Sequence, residues 1–103
     1  MTKKVVFLCA AGMSTSLLVN KARAAAKQLG KDQELEFAAD PVSKAGELVP
    51  SADIILVAPQ VRYELKNLQK KYPDKIFVLI EPRTYGMCDG PAIIALAEAH
   101  LTK

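Results

Sequence analysis

Four short apolar runs punctuate the chain, with amphipathic stretches between them. Val5-Val6-Phe7-Leu8 and Ile54-Ile55-Leu56-Val57 are apolar without alternation, the pattern of strands covered on both faces in a parallel sheet. Ile76 to Ile80 reads as a further strand. Leu35 to Ala39 alternates with Glu36 and is flanked by charge, which predicts a strand at the sheet edge. The first helix is expected to open at Leu17 and stop at Gly30. Leu18, Ala22, Ala25, Ala26 and Leu29 recur at helical spacing, and Lys21, Arg23 and Lys27 fall on other faces. Its alanines imply close packing on a sheet. Asp40-Pro41 reads as an N-cap with proline at the first helical position, starting a short helix through Leu48. Val61, Leu65, Leu68 and Tyr72 mark one face of a third helix, with Arg62, Glu64, Lys66, Lys70 and Lys71 outside that face and Pro73-Asp74 closing it. Glu81 to Gly90 is expected to be an irregular loop, and Pro91 to start a last helix carrying Ile93, Ile94, Leu96, Ala97 and Leu101.

Strands alternating with helices imply βαβ units. The expected architecture is therefore an α/β single domain over residues 1–103: a four-stranded parallel sheet in the order 2-1-3-4, with helices on both faces. In such a sheet the ligand crevice opens at the carboxyl ends of the strands where the winding reverses, here between strands one and three. That places Cys9 beside Pro59-Gln60, with the Glu81 to Gly90 loop further along the same edge.

Composition narrows the function. Half of the 103 residues are hydrophobic, enough for a packed core. A formal charge of +3 argues only weakly for an acidic partner, and the aromatics are too few and scattered for base stacking, so nucleic acid is not an expected partner. No apolar run is long enough to cross a bilayer and Met1 to Lys4 does not lead into a signal segment, so the expectation is a cytoplasmic chain without direct membrane insertion. Cys9 and Cys88 lie far apart without metal-ligand spacing, so no metal and no structural disulfide are expected.

The chemistry gathers at Cys9-Ala10-Ala11-Gly12-Met13-Ser14-Thr15-Ser16. A strand, a small-residue loop and a helix start form an anion cradle, because successive backbone N–H groups and the positive end of the helix dipole converge. Cys9 is expected at the mouth of that cradle, where a thiolate gains those donors as partners. Backbone N–H groups of Ala11 to Ser16 and the hydroxyls of Ser14, Thr15 and Ser16 suit a doubly charged phosphoryl group, and Gly12 allows the turn. Ser14 has a second reading as an N-cap. A buried small hydrophobe at a strand end is the alternative for Cys9, and an apolar loop residue or a partner contact are the two for Met13. Gln60 either touches phosphate or ends a strand; Arg62 and Arg83 are either phosphate ligands or solvated. His100 suits the end of the last helix. The lysines of the first and third helices read as solvated faces or as contacts for an acidic rim on a partner.

Low-molecular-weight tyrosine phosphatases and the related arsenate reductases share this P-loop topology, and they place an arginine six residues after the cysteine. Here that position is Thr15, and Glu81-Pro82 stands where the phosphatases keep their Asp-Pro acid. A phosphocysteine at Cys9 could then form and persist, so a phosphatase or arsenate reductase is the alternative reading. The first loop carries neither Gly-x-Gly-x-x-Gly nor Gly-x-x-x-x-Gly-Lys-[Ser/Thr], which disfavours a nucleotide-binding module. The Cys9 to Ser16 run, the Pro59-Gln60 pair, and Tyr85-Gly86 with Asp89-Gly90 together resemble the IIB component of the lactose and cellobiose family of the sugar phosphotransferase system. The resemblance covers essentially the whole chain. It implies that Cys9 takes a phosphoryl group from a phosphohistidine on a IIA protein (EIIA) and passes it to a sugar held by the membrane IIC protein (EIIC), with Ala10, Ala11, Gly12, Met13, Ser14, Thr15 and Ser16 wrapping the phosphate. Gln60 and Asp89 are additional site candidates, Cys88 has no assigned role, and no cofactor is implied.

Overall fold

The computed structural model describes residues 3–9, 13–87 and 89–101; of residues 13–16 it describes the backbone alone. Four strands, β1 (Lys3–Cys9), β2 (Leu35–Pro41), β3 (Ile54–Val57) and β4 (Phe77–Leu79), form one parallel sheet in the order β2-β1-β3-β4. Parallel neighbours need a crossover, and the chain supplies α1 (Met13–Gln28), α2 (Ala45–Leu48), α3 (Leu65–Lys71), α4 (Pro82–Gly86) and α5 (Gly90–Leu101), with 3-10 turns at Val42–Lys44, Val49–Ser51 and Pro59–Glu64. The apolar runs of β1 and β3 are buried along their whole lengths from Val5 to Cys9 and from Ile54 to Val57, as their lack of alternation required. Leu18, Ala22, Ala25 and Ala26 of α1 and Ile93, Ile94 and Ala97 of α5 complete the core.

Several element boundaries depart from the pattern. Asp40-Pro41 does not start a helix; both residues extend β2, and the following turn begins at Val42. The Lys3 N–H donates to the Glu34 carbonyl, so the odd-numbered residues of β2 point their backbone groups away from β1. Proline is tolerated at such an outer edge because no ladder bond needs its missing N–H. Tertiary pairing thus overrides the local capping signal. The expected loop at Glu81 to Gly90 contains α4, and the signal for it was present in Pro82, which takes the first helical position after Glu81. The fourth strand is shorter than its apolar run, although the Ile76 carbonyl accepts from the Ile55 N–H and the Ile80 N–H donates to Val57. Leu29 lies beyond the last helical residue and is exposed.

Gly30 stops α1 as expected. Its φ of 73° is left-handed, the Lys31 N–H returns to the Ala26 carbonyl and the Gly30 N–H to that of Lys27, the two bonds of a Schellman motif. Gly90 serves closeness instead. A Cβ built there would stand 2.4 Å from the Lys21 carbonyl oxygen and 3.1 Å from the Ala25 Cβ, so α5 meets α1 backbone to backbone. Gly90→Ala should therefore destabilise the domain by about 2–3 kcal/mol through overpacking. Gly30→Ala, with nothing within 4 Å of its Cβ, should cost about 1 kcal/mol from backbone conformation alone. Urea denaturation midpoints at unchanged slope measure both.

Candidate functional site

Four strand ends build the carboxyl edge. Cys9 is in register with Pro41 and Leu8 with Val57. The Ala58 N–H donates to the Leu8 carbonyl and the Ile80 N–H to that of Val57, each at 2.9 Å. Cys9 therefore stands between the end of β2 and the Ala58-Pro59 turn, at the point where the winding reverses, with Glu81 one strand further out.

The sulfur is more enclosed than expected. Cys9 is 2 % exposed, because it is still the last residue of β1 and packs as the four apolar residues before it do. Its thiol donates to the Asp40 carbonyl oxygen, with Sγ 3.8 Å away, a long and weak bond for a weak donor. Sequence reasoning had no means of finding this partner, since a backbone carbonyl carries no side-chain signature.

Helix α1 begins at Met13, four residues before the expected Leu17. Ser14, Thr15 and Ser16 consequently have their backbone in its first turn, where N–H groups have no intrahelical acceptor and the dipole is positive. This moves Ser14 one place inside the helix, past the N-cap position. Ser and Thr are poor residues for a helix interior but are at home in a first turn, which is why hydroxyls after a glycine were misread as loop. Ala10, Ala11 and Gly12, the side chains of Met13, Ser14, Thr15 and Ser16, and Cys88 lie outside the described residues.

The other candidates have separate places. Gln60 is exposed in the 3-10 turn directly after β3, and Arg62 is exposed two residues on. Arg83 is exposed on α4. Asp89 caps α5: its Oδ1 accepts from the Ala92 N–H at 3.2 Å, and its carbonyl accepts from the Ile93 N–H. The next residue, Gly90, abuts Lys21 of α1, about 12 Å along the helix axis from Met13. Asp89 thus has a structural task beside the middle of α1. The His100 Nδ1 is 2.9 Å from the Leu96 carbonyl one turn earlier, a bond within its own helix. A groove of about 720 Å³ lies between α1 and the outer side of β2, lined by Arg23, Lys27, Asp32, Glu36 and Phe37 among others. It does not adjoin Cys9, and a phosphoryl group needs no such volume. Among the described residues no three His, Cys, Asp or Glu side chains are grouped to hold a metal ion, and no helix is long and apolar enough to cross a membrane.

A parallel sheet in the order β2-β1-β3-β4 with a cysteine ending its inner strand at the switch point defines the class as a doubly wound α/β domain. Residues 4–96 match the family described as PTS system, Lactose/Cellobiose specific IIB subunit, and the chain belongs to that family. It is 40 % identical over 105 residues to the galactose-specific EIIB component of Lactococcus lactis, covering 95 % of this chain and 96 % of that one. It is also 40 % identical over 91 residues to the oligo-beta-mannoside-specific EIIB component of Bacillus subtilis, covering 85 % of each chain. Among solved structures, the cellobiose-specific IIB component of Borrelia burgdorferi superposes with a TM-score of 0.82 at 28 % identity over 99 % of this chain and 94 % of that one. The lactose-specific IIB domain of Streptococcus pneumoniae superposes with a TM-score of 0.85 at 17 % identity over 97 % of this chain and 98 % of that one, a likeness of fold. EIIB components are phosphotransferases of sugar transport.

If Asp89 acts as a cap, Asp89→Ala should lower stability by about 1 kcal/mol and Asp89→Asn by much less, since asparagine caps nearly as well. Thermal melts of the two variants side by side test this.

Proposed function

We propose that this chain is a phosphocarrier of phosphoenolpyruvate-dependent sugar uptake, with Cys9 as the phosphorylated residue. The Cys9 thiol gives up its proton and its sulfur attacks phosphorus on a phosphohistidine of EIIA; the P–N bond breaks, a P–S bond forms, and the leaving nitrogen takes the electron pair and a proton to become neutral imidazole. A hydroxyl of the sugar held by EIIC then attacks the same phosphorus. The P–S bond breaks, the thiolate is regenerated, and the hydroxyl proton departs to solvent. The observation that carries the reading is the position of Cys9: it ends the inner strand β1 at the switch point, three residues before α1 begins, in a chain of the IIB family.

Each half-reaction needs the charge of a cysteinyl phosphate to be met without being trapped. The N–H groups that open α1 and the hydroxyls of Ser14, Thr15 and Ser16 are neutral donors, each weaker than a guanidinium fork. Ala10, Ala11, Gly12 and Met13 complete the wrap in this reading. Thr15 in place of an arginine removes the group that would bind the phosphocysteine most tightly. Glu81-Pro82 stands where the phosphatases keep their Asp-Pro acid, a carboxyl one methylene further from the backbone. A cytoplasmic carrier meeting EIIC at the inner face of the membrane follows from the same reading.

Intact mass after incubation with phosphorylated EIIA decides the site. One phosphoryl group should be gained by the native chain and by Cys88→Ser, and none by Cys9→Ser; a phosphorylated Cys9→Ser variant overturns the assignment. Thr15→Arg should still accept phosphate at Cys9 but deliver it to sugar roughly tenfold more slowly, the effect of about 1.4 kcal/mol of added ground-state binding. Steady hydrolysis of an aryl phosphate by the native chain would favour the phosphatase reading instead.

A further inference from the structure

The charge exposed on the outer face of α3 and of the 3-10 turn before it is almost wholly positive. Val61 and Leu68 are buried, and Leu65 and Tyr72 pack against the same core. At helical spacing this leaves Tyr63, Lys66 and Lys70 on the opposite side, with Arg62 and Lys71 flanking them. All five are exposed, Tyr63 to 71 %. Glu64 is the lone carboxylate between Pro59 and Lys71, and its Oε1 accepts from the Asn67 side chain at 3.2 Å. Four cations against one carboxylate give this segment the formal +3 of the entire chain; the charges elsewhere cancel. Among the described residues Arg62, Lys66 and Lys70 form no ion pair, while Lys71 Nζ lies 5.7 Å over the Tyr72 ring. Two cations on the opposite side of the molecule are engaged: Arg23 donates to the Phe37 carbonyl at 3.0 Å and Lys31 pairs with Glu98.

We propose that this face docks on the surface of an anionic lipid bilayer. The cations run for about 15 Å, from Arg62 near the carboxyl edge back towards the start of β4. A phosphoryl donor or acceptor has to sit over Cys9 and would cover only the Arg62 end of the row. A plane lying along the helix meets Lys66 and Lys70 together, with Arg62 at its edge. Tyr63, between Arg62 and Lys66, has the apolar ring and polar tip that settle at headgroup depth, and the lysine stems add apolar contact. With α3 flat on the bilayer, the carboxyl edge faces along the membrane plane and stays open. The docking stands independently of phosphoryl transfer, so Cys9→Ser should bind lipid as the native chain does.

The chain contains no tryptophan, so Tyr63→Trp supplies a single reporter at the proposed contact. Phosphatidylglycerol vesicles at low ionic strength should shift its emission to the blue, and phosphatidylcholine vesicles should leave it unchanged. Each basic residue near an anionic surface is worth roughly fivefold in partitioning, so Lys66→Gln/Lys70→Gln should weaken co-sedimentation about 25-fold. Lys21→Gln/Lys27→Gln on α1 removes the same charge and should leave binding within about threefold of native, since those residues would face away from the lipid. Equal losses in the two pairs, or no emission shift, overturn the proposal. So does a loss of binding to phosphorylated EIIA in the Lys66/Lys70 pair without any vesicle binding by the native chain, which would assign the face to an acidic protein instead. Circular dichroism melts confirm that each variant is folded.

Discussion

The placement of β1 as an inner strand governs the rest of the structure. Its odd-numbered residues bond β2 and its even-numbered residues bond β3, as the Lys3 to Glu34, Asp53 to Lys4 and Ala58 to Leu8 contacts record. Both edges are therefore satisfied, both faces are covered, and Val5 to Cys9 are buried. A sulfur at the end of such a strand is held by two ladders and by α1 immediately after it. The site's geometry is a property of the sheet centre and needs no separate scaffold.

That arrangement explains which features were legible in sequence. Apolar runs without alternation marked β1 and β3 as covered on both faces, and the Glu36 alternation marked β2 as outer; the run of β4 is as apolar yet forms the other edge, so the order β2-β1-β3-β4 also needed the rule of short right-handed crossovers. Cys9 was legible for the same reason, because its position follows from where β1 ends. What escaped were features in which local and tertiary preferences compete. Asp40-Pro41 has every local mark of a helix start, yet the outer edge of β2 accepts a proline and β1 offers the pairing. Ser14, Thr15 and Ser16 read as loop, yet the first turn of a helix accommodates them. Asp89 looked like a companion of Cys9, and the bond to the Ala92 N–H gives it work in α5.

The surface divides by function in a comparable way. The α1 and α5 side is closed by backbone contact at Gly90 and Lys21 and by the Lys31–Glu98 pair. The α3 side presents free cations and an uncovered tyrosine. Between them runs the carboxyl edge with Cys9. For the carrier proposed above, which would meet two partners in turn at one atom, one closed flank and one charged flank allow each approach a fixed posture.

The pairing of β1 with β3 also dictates the order in which the chain can assemble. Val5 and Ile54 are in register, so more than half of the 103-residue polypeptide must be synthesised before the centre of the sheet can close. Loop-closure entropy is paid before that contact gives anything back. The β1-α1-β2 unit alone would leave one flank of β1 unpaired, and the surroundings of the sulfur are accordingly incomplete until β3 docks.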